Sequence, residues 1–330
     1  MLAVRTHRLG ALDNLVLEEV PPAPLLPGHV RIRIRATGIN FADVLMVKGL
    51  YQEKPPLPFS PGIEVAGEVL EIAPDVKGMK PGDRVFGMLG NGGLATEAVV
   101  PAPMLMPIPE GIDFVTAAAF PVAYGTSHVA LSHRAGLKAG ETLLVLGAAG
   151  GVGLTAVEIG ALMGAEVIAA ASTPDKLEVA RSKGATHLIN SSSEDLKERT
   201  KALTDGRGVD VVYDPVGGAL FDAALRSLAF EGRIVIIGFA SGTIPQIPAN
   251  LLLVKNIAAI GLYWGSYSWR RPEVLRRSMG ELAGWLASGR IAPHVSETRP
   301  LSDAVLALRA LEERRSTGKV VVVMDETEQS

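Results

Sequence analysis

The segment that most constrains how this chain can fold is LVLGAAGGVGLTAVEIG, residues 144–160. An apolar run at 142–147 predicts a strand covered on both faces, and the residues after the glycines have helical spacing. The turn between them follows the pattern A-x-G-x-x-G, with Ala148, Gly150 and Gly153 at its three positions. Gly150 lets the backbone approach a pyrophosphate, Gly153 permits close helix–strand packing, and the helix N-terminus attracts phosphate. Ala148 stands where a tight-turn glycine is usual, so the turn alone leaves open that it binds nothing.

The sequence after residue 123 alternates strand-like and helix-like segments, which places that turn in a larger pattern. The strand-like runs are TLLVLG, AEVIAAA, GATHLIN, VDVVYD, RIVIIGF and IAAIGLY. The helix-like segments between them are GLTAVEIGALMG, TPDKLEVARSKG, SSEDLKERTKALT and GALFDAALRSLAFEG. This alternation predicts an α/β fold with a doubly wound, six-stranded parallel sheet. In that setting the glycine turn favours a dinucleotide site over an empty turn.

The remaining parts of the chain have a different pattern. Residues 1–120 contain short strand-like segments, such as HVRIRIRATGI with its alternating apolar and charged residues, separated by turns such as that in PGDRVFG. They predict an irregular, β-rich and barrel-like domain. After residue 265 come two amphipathic helical segments and the strand-like GKVVVVMD. The pattern leaves open whether they extend the second domain or return to the first.

Composition excludes several classes of function. Lys plus Arg number 32 and Asp plus Glu 35, so the net charge of −3 gives no basic surplus for nucleic acid or an anionic membrane. The absence of cysteine excludes disulfides, thiolate zinc sites and iron–sulfur clusters. The six histidines show no metal-ligand spacing; they are His7, His29, His128, His133, His187 and His294. The N-terminus lacks the apolar core of a signal peptide, and we expect a cytoplasmic protein that does not bind membranes.

The end of the second predicted strand indicates which dinucleotide is bound. In NAD enzymes this strand closes with an acidic residue that binds the ribose hydroxyls. Here it ends in AAAST, residues 169–173, without an acid, and Lys176 follows shortly after Ser172. A hydroxyl and a lysine suit a 2′-phosphate, so we predict a preference for NADPH. The alternative for Lys176 is a solvated lysine on a helix surface.

Motifs along the whole chain resemble one known family. They are GINFADV, PGIEVAGEV, KPGDRVFG, LGAAGGVG, STPDKLEVARSKGATHLIN, GVDVVYDPVGG, GFASG and STGKVVVV. Together they resemble the zinc-independent NADPH:quinone oxidoreductase branch of the medium-chain dehydrogenase/reductases. The resemblance implies a GroES-like catalytic domain at 1–123, to which residues 265–330 return, and a Rossmann NADPH-binding domain at 124–264. It also implies that the cofactor lies between these domains.

The resemblance assigns expected roles to individual residues. Asn40, Asp43 and Tyr51 correspond to catalytic or substrate-pocket positions, and Asn40 also to a contact with the nicotinamide. The other implied cofactor contacts are Thr126, Gly150, Gly151, Val152, Ser172, Lys176, Ser191, Phe239, Ser241, Gly242 and Arg314. The three residues at catalytic or substrate-pocket positions also have structural alternatives. Asn40 can be a turn residue, Asp43 a helix-start residue and Tyr51 a packing residue.

Two positions depart from the family pattern, and two others bear on metal binding. Ser191 stands where a tyrosine often touches the 2′-phosphate, which weakens the case for NADPH without reversing it. Leu45 stands where a second tyrosine often lies in the substrate pocket. Zinc alcohol dehydrogenases of this superfamily have a cysteine at the position of Asn40 and a histidine at that of Ile63. We therefore expect no catalytic metal.

The expected activity is hydride transfer from NADPH to a small-molecule quinone or α,β-unsaturated carbonyl compound. One alternative is an enoyl-thioester reductase, which needs a basic site for coenzyme A phosphates that the sequence does not locate. Another is an NADPH-binding protein with little turnover and a structural or regulatory role. The apolar NIAAIGLYWG, at an expected sheet edge, predicts a homodimer, and the family resemblance does the same.

Overall fold

The computed structural model describes residues 1–324, which divide into two compact units. The first unit contains Met1–Val122 and the segment from Ala292 onward, and the second contains Ala123–Ile291. The first boundary lies within one residue of the predicted one. The second differs, because residues 265–291 belong to the second unit instead of returning to the first at residue 265.

Within residues 1–324 the structure has fifteen strands and eleven α-helices. The strands are β1 Leu2–Thr6, β2 Leu15–Glu19, β3 His29–Ile39, β4 Glu64–Ile72, β5 Arg84–Met88, β6 Glu97–Pro101, β7 Leu105–Pro107, β8 Thr142–Leu146, β9 Glu166–Ala171, β10 His187–Asn190, β11 Val209–Asp214, β12 Leu228–Ile236, β13 Ala258–Gly261, β14 Val295–Pro300 and β15 Lys319–Val323. The helices are α1 Phe41–Val47, α2 Phe114–Ala118, α3 Pro121–His128, α4 Gly151–Leu162, α5 Pro174–Ser182, α6 Leu196–Leu203, α7 Gly218–Arg226, α8 Ala249–Lys255, α9 Tyr267–Arg270, α10 Pro272–Ala287 and α11 Ala304–Glu312.

The first unit is built on a mixed sheet in which the C-terminal strand pairs with an early one. In the described part of the chain the sheet has seven strands: six follow the order β14-β15-β3-β4-β5-β7, and the seventh, β6, pairs with the first half of β3. β15 runs antiparallel to the second half of β3, with Val320 opposite Ile39. The alternation predicted for β3 is present, since Val30, Ile32 and Ile34 are buried in one core. This pairing brings the start of β15 to the end of β3.

The second unit contains the predicted parallel sheet. In residues 1–324 its six strands follow the order β10-β9-β8-β11-β12-β13, and every pair is parallel. The order reverses between β8 and β11, the place where ligands bind in sheets of this type. All five residues of β8 are buried, as its continuous apolar sequence predicts. The predicted α/β fold with a doubly wound, six-stranded parallel sheet is confirmed.

Two segments of the second unit differ from their predictions for identifiable reasons. The helix predicted to reach Gly232 stops at Arg226, and β12 begins at Leu228, because this stretch joins the parallel ladder beside Val209. Residues 265–291 stay with the second unit through side-chain contacts; Ser278 Oγ, for example, lies 2.8 Å from His128 Nδ1.

No helix in residues 1–324 combines the length and apolar character needed to cross a bilayer.

Candidate active site

The glycine turn after β8 explains why an alanine is tolerated in its motif. The left-handed backbone conformation falls on Gly147, with φ +58°, one residue before Ala148. Ala148 is fully buried, and its N–H donates to the carbonyl of Ala170 at 3.0 Å. The conformational demand that usually requires glycine is therefore met by Gly147, which leaves Ala148 free to carry a side chain.

The following residues form an open helix N-terminus. Gly150 is the N-cap of α4; no side chain caps it, and the first turn, which starts with Gly151 and Val152, has no acidic residue. A Cβ on Gly153 would lie 2.2 Å from the Gly147 carbonyl oxygen, so this glycine is required by packing. A Cβ on Gly150 would meet nothing closer than that same oxygen at 3.4 Å. Lying where the strand order reverses, this cradle fits the pyrophosphate of a dinucleotide.

A buried hydroxyl cluster supports the cradle, and the sequence analysis did not identify it. Ser127 Oγ donates to the Val152 carbonyl at 2.9 Å, and it lies 2.8 Å from Thr155 Oγ1 and 2.9 Å from the Tyr213 hydroxyl. Thr155 Oγ1 also bonds to the Ala123 carbonyl at 3.1 Å. These residues fix the first turn of α4 from below. Their only sequence signal is the presence of hydroxyl groups in otherwise apolar segments.

The structure brings together the residues predicted to bind the adenosine 2′-phosphate in the second unit. Ser172 is exposed directly after β9, and Lys176 is half-buried in the first turn of α5. The Ser191 N–H donates to the carbonyl of Ala171 at 2.9 Å, so Ser191 lies beside the end of β9. Asp175, in the first turn of α5, is an exposed acid beside these residues and was not among the predicted ones.

The loops after β11 and β12 pack on each other at the same edge of this sheet. Asp214 is buried, and its Oδ1 accepts the N–H groups of Val216 and Gly217 at 2.7 and 3.0 Å. Burial raises the pKa of Asp214, against the lowering effect of these two donors. The Ser241 N–H donates to the Val216 carbonyl at 2.9 Å, which fixes the second loop to the first. The predicted nicotinamide residues are placed as follows: Phe239 and Gly242 exposed, Ser241 half-buried and Thr126 7% exposed on α3.

The first unit contains a buried ion-pair network that the sequence analysis missed. Lys319, at the start of β15, is 3% exposed, and Glu64 has no exposed surface. The Lys319 ammonium donates three bonds of 2.7 Å, to the Ile39 carbonyl, Asn40 Oδ1 and Glu64 Oε1. Glu64 Oε2 accepts the Val122 N–H at 2.7 Å. Both charges are therefore fully hydrogen-bonded, which is what a buried ion pair requires.

This network determines what Asn40 can do. Its Nδ2 donates to Glu64 Oε1 at 2.7 Å and to the Gly38 carbonyl at 3.3 Å, while its Oδ1 accepts from Lys319. The amide is 8% exposed, and both of its N–H groups already have partners. At the catalytic or substrate-pocket position expected for Asn40, its amide could donate to a ligand only if one of these bonds were broken.

Asp43 occupies a structural position. Its side chain has no exposed surface; Oδ2 accepts the Asn40 N–H at 2.8 Å and Oδ1 the Gly62 N–H at 2.9 Å. It thereby caps α1 and holds the loop before β4. The helix-start alternative accounts for these contacts, and the expected catalytic role does not, because no oxygen of Asp43 is accessible to a ligand.

We predict that Asp43 makes the stability of the protein depend on pH. Burial raises the pKa of Asp43 to about 7, although the Asn40 and Gly62 N–H groups and Lys319 lower it. Between about pH 4 and 7 the folded chain therefore holds a proton on Asp43 that the unfolded chain has released. The bound proton stabilises the folded state, so the free energy of unfolding falls as the pH rises over this range, and the contribution is lost once the pH passes 7. From pH 5 to 8 the wild type should lose roughly 3 kcal/mol more than Asp43→Asn in urea unfolding, about 1.4 kcal/mol for each pH unit between 5 and the pKa of about 7. Equal losses in both proteins would contradict the prediction.

The remaining predicted residues lie at other points of the first unit. Tyr51 is half-buried shortly after α1, and its N–H donates to the Leu45 carbonyl at 3.2 Å. Arg314 is exposed after α11 in a left-handed conformation, with φ +55°. Ile63 is half-buried just before β4. Among residues 1–324, no three His, Cys, Asp or Glu side chains are grouped so that they could hold a metal ion.

Comparisons with known proteins match both units. Residues 26–110 match the alcohol dehydrogenase GroES-like domain family, and residues 151–279 match the zinc-binding dehydrogenase family. Quinone oxidoreductase-like protein 2 of Bos taurus is 47% identical over 93% of this chain and 88% of its own length.

Solved structures of similar proteins cover nearly the whole chain. The Escherichia coli quinone oxidoreductase complexed with NADPH has a TM-score of 0.91 and 32% identity, covering 98% of this chain and 100% of that one. The CurK enoyl reductase has a TM-score of 0.89 and 28% identity, covering 98% of this chain and 99% of that one.

Proposed function

The chain belongs to the zinc-independent quinone oxidoreductase branch of the medium-chain dehydrogenase/reductase superfamily, and from this membership we propose that it transfers hydride from NADPH to a quinone or an α,β-unsaturated carbonyl compound. The observation that carries the proposal is the glycine cradle at the strand-order reversal, with an uncapped helix N-terminus that fits a pyrophosphate. The end of β9 lacks the carboxylate that selects NAD. Oxidoreductase activity with NADPH as the cofactor follows from the family.

The residues of this chain bind and orient, and NADPH, when bound, supplies the hydride. In the second unit we assign Gly150, Gly151 and Val152 to the pyrophosphate and Ser172, Lys176 and Ser191 to the adenosine end. We assign Thr126 and the loop of Phe239, Ser241 and Gly242 to the nicotinamide half. Holding the reacting carbon in a fixed orientation is the main contribution expected of such a site.

In the first unit we assign a positioning role to Asn40, because Lys319 and Glu64 fix its amide. Asp43 fixes the backbone of the same segment, and Tyr51 remains the candidate for contact with the acceptor. The proton that completes reduction has two candidate sources, the Tyr51 hydroxyl and solvent water.

The choice of acceptor follows from the residues at the two metal-ligand positions of the zinc-dependent relatives. The side-chain oxygen of Asn40 already accepts a hydrogen bond from Lys319, and the side chain of Ile63 has no atom that can bind a metal. A plain ketone needs strong stabilisation of a developing alkoxide, which a metal supplies in those relatives. Quinones and enones need less, because the charge that arrives with hydride spreads over a conjugated system.

The proposed function is tested by stopped-flow oxidation of NADPH against a panel of quinones, enones and enoyl thioesters. We expect turnover with at least one conjugated acceptor and none with the corresponding saturated ketone. An enoyl-thioester reductase is the second candidate, supported by the similarity to the CurK enoyl reductase. Failure of every acceptor despite tight NADPH binding would favour the third candidate, a cofactor-binding protein with little turnover.

We predict that Lys176 selects NADPH over NADH. Its loss removes a charge-assisted hydrogen bond to the 2′-phosphate, which contributes about 1.5–3 kcal/mol, roughly ten- to a hundredfold in affinity. Lys176→Ala should therefore raise the KM for NADPH by about that factor and leave the KM for NADH nearly unchanged. Asp175→Asn, which removes the neighbouring acid, should lower the KM for NADPH modestly. An equal response of both cofactors to Lys176→Ala would exclude the assignment.

We propose a homodimer formed along β13, the last strand of its sheet. Ala258 and Gly261 of this strand are exposed, and Leu253 and Val254 on the preceding helix α8 are 78% and 75% exposed. An apolar edge of this kind is stabilised by pairing with its two-fold mate. Light scattering should give twice the 34.6 kDa of one chain at micromolar concentration. Replacement of Leu253 by Glu should shift the protein to the monomer, whereas a wild-type monomer would refute the proposal.

A further inference from the structure

A pocket of about 320 Å³ lies beside the end of β13, and the proposed function does not use it. Three arginines, a histidine and two tyrosines account for most of its lining: His133, Arg134, Tyr263, Tyr267, Arg270 and Arg271. The pocket belongs wholly to the second unit. Its volume lies at the lower end of the range of about 300–1,000 Å³ that is typical of small-molecule sites. We call it the arginine pocket.

The arginine pocket is strongly positive in a chain whose net charge is −3. Arg271 pairs with Glu273, and among the described residues no carboxylate forms an ion pair with Arg134 or Arg270. A fourth arginine, Arg277 on α10, also acts on the pocket. The pKa of His133 lies below its ordinary value, first through burial and then through Arg277, Arg271 and Arg134, while Glu273 opposes them. One acid against four guanidinium groups leaves an excess of positive charge.

The geometry of the arginine pocket suits a phosphorylated aromatic ligand. Arg134 is held by a 3.1 Å bond from Nη2 to the Gly261 carbonyl, while Arg270 and Arg271 are exposed. Planar guanidinium groups bind phosphate oxygens in pairs, and they stack on aromatic rings. The rings of Tyr267 and His133, which both line the pocket, meet edge-on with centroids 5.9 Å apart. A phosphate ester that carries a purine would therefore find guanidinium groups for its phosphate and aromatic rings for its base.

The location of the pocket indicates which molecule provides such a group. The carboxyl ends of parallel strands lie at one edge, so Gly261 at the end of β13 and the loop after β12 are on the same side. That loop holds Phe239 and Ser241, which we assign to the nicotinamide. A long acceptor could therefore reach the nicotinamide with its reacting end while its anionic end occupies the arginine pocket.

The adenosine phosphate of NADPH is the other possible source, and the sheet order argues against it. The residues assigned to that group follow β9, and β8, β11 and β12 separate β9 from β13. At about 4.8 Å per strand, the two places are about 19 Å apart across the sheet. The adenosine end of one bound cofactor therefore cannot occupy both the site after β9 and the arginine pocket.

We propose that the arginine pocket binds the adenosine 3′,5′-bisphosphate end of an enoyl-coenzyme A substrate. The inference rests on the proposed function, since it names the class of conjugated acceptor that the same site reduces. It also provides the basic site that an enoyl-thioester reductase requires. Quinones, which carry no phosphate, would make no use of the pocket.

The test compares two thioesters of the same enoyl group, one of coenzyme A and one of N-acetylcysteamine, which lacks the nucleotide. The variant is Arg270→Ala/Arg271→Ala, in which both changed side chains are exposed. The wild type should prefer the coenzyme A thioester, and the variant should lower kcat/KM for it by about ten- to a hundredfold. Activity with the N-acetylcysteamine thioester and with a quinone should not change. Arg226→Ala, an exposed arginine on α7, is the matched control and should behave like the wild type.

Calorimetric titration with adenosine 3′,5′-bisphosphate separates the inference from the proposed function. The wild type and Arg226→Ala should bind it, also with NADPH present, and the double variant should not. Binding that NADPH abolishes would identify the cofactor site instead and overturn the inference. So would equal binding by the double variant, or quinone reduction without any preference for the coenzyme A thioester. If no acceptor is reduced, the proposed function fails, and the titration alone decides whether the pocket holds the nucleotide.

Discussion

Replacement of Lys319 by methionine is expected to lower the free energy of unfolding by about 3–5 kcal/mol, the usual cost of breaking a buried ion pair. The substitution leaves the Glu64 carboxylate buried without its counter-charge, and it removes the donor to the Ile39 carbonyl and Asn40 Oδ1. Because the chain has two units, the effect should appear in the unfolding transition of the first one. Urea unfolding followed by far-ultraviolet circular dichroism measures it.

A double-mutant cycle distinguishes the ion pair from a simple packing defect. Lys319→Met/Glu64→Gln removes both charges, and it should be more stable than Lys319→Met alone, with a coupling energy of at least about 1 kcal/mol. Lys77→Met, at an exposed lysine of the first unit, should change stability by less than about 0.5 kcal/mol. Additive effects of the two single substitutions would show that Lys319 and Glu64 do not depend on each other.

Gly150→Ala and Gly153→Ala are expected to damage different properties of the protein: the first should weaken NADPH binding, and the second should lower stability. Gly150→Ala has room for its Cβ and keeps an allowed backbone, with φ −77°, so the fold should lose less than about 1 kcal/mol. Its Cβ occupies the approach of the pyrophosphate, and the loss of two charge-assisted backbone bonds should weaken NADPH binding about a hundredfold or more. Gly153→Ala places its Cβ 2.2 Å from the Gly147 carbonyl oxygen and should destabilise the protein itself.

Thermal unfolding with and without NADPH separates the two effects. The wild type should be stabilised by the cofactor, because a ligand that binds only the folded state raises its stability. Gly150→Ala should melt near the wild-type temperature without that increase, and Gly153→Ala should melt lower under both conditions. A cofactor response in Gly150→Ala equal to that of the wild type would exclude the cradle as the pyrophosphate site.

The second unit could be predicted from local sequence because its signals are local. The apolar run of β8, the glycine turn and the helical spacing of α4 are consecutive in the chain. Period and turn chemistry therefore predict the strand–helix alternation without knowledge of distant contacts. The role of Gly147 was missed because the motif alone does not show which residue of a turn has a positive φ.

The network in the first unit could not be predicted, because its members are far apart in sequence. Lys319 and Glu64 are separated by 255 residues and meet only because β15 pairs with β3, which also pairs with β4. A lysine before an apolar strand reads as a solvated residue until that pairing is known. The expected role of Asn40 changed for the same reason, since its amide oxygen accepts from the distant Lys319. For Asp43 only the Gly62 N–H is a distant partner, whereas the bond to the Asn40 N–H is local and matches the helix-start alternative.

The most direct test of the central claim, hydride transfer from NADPH to a conjugated acceptor, uses NADPH deuterated at C4 of the nicotinamide, on each face in turn. Under single-turnover conditions with an enone, one of the two labelled cofactors should react more slowly than unlabelled NADPH and deliver its deuterium to the β-carbon of the product. Omission of the enone should leave NADPH unchanged. A product that carries no deuterium from either face would contradict the account, and so would the failure of every quinone, enone and enoyl thioester to be reduced although NADPH is bound.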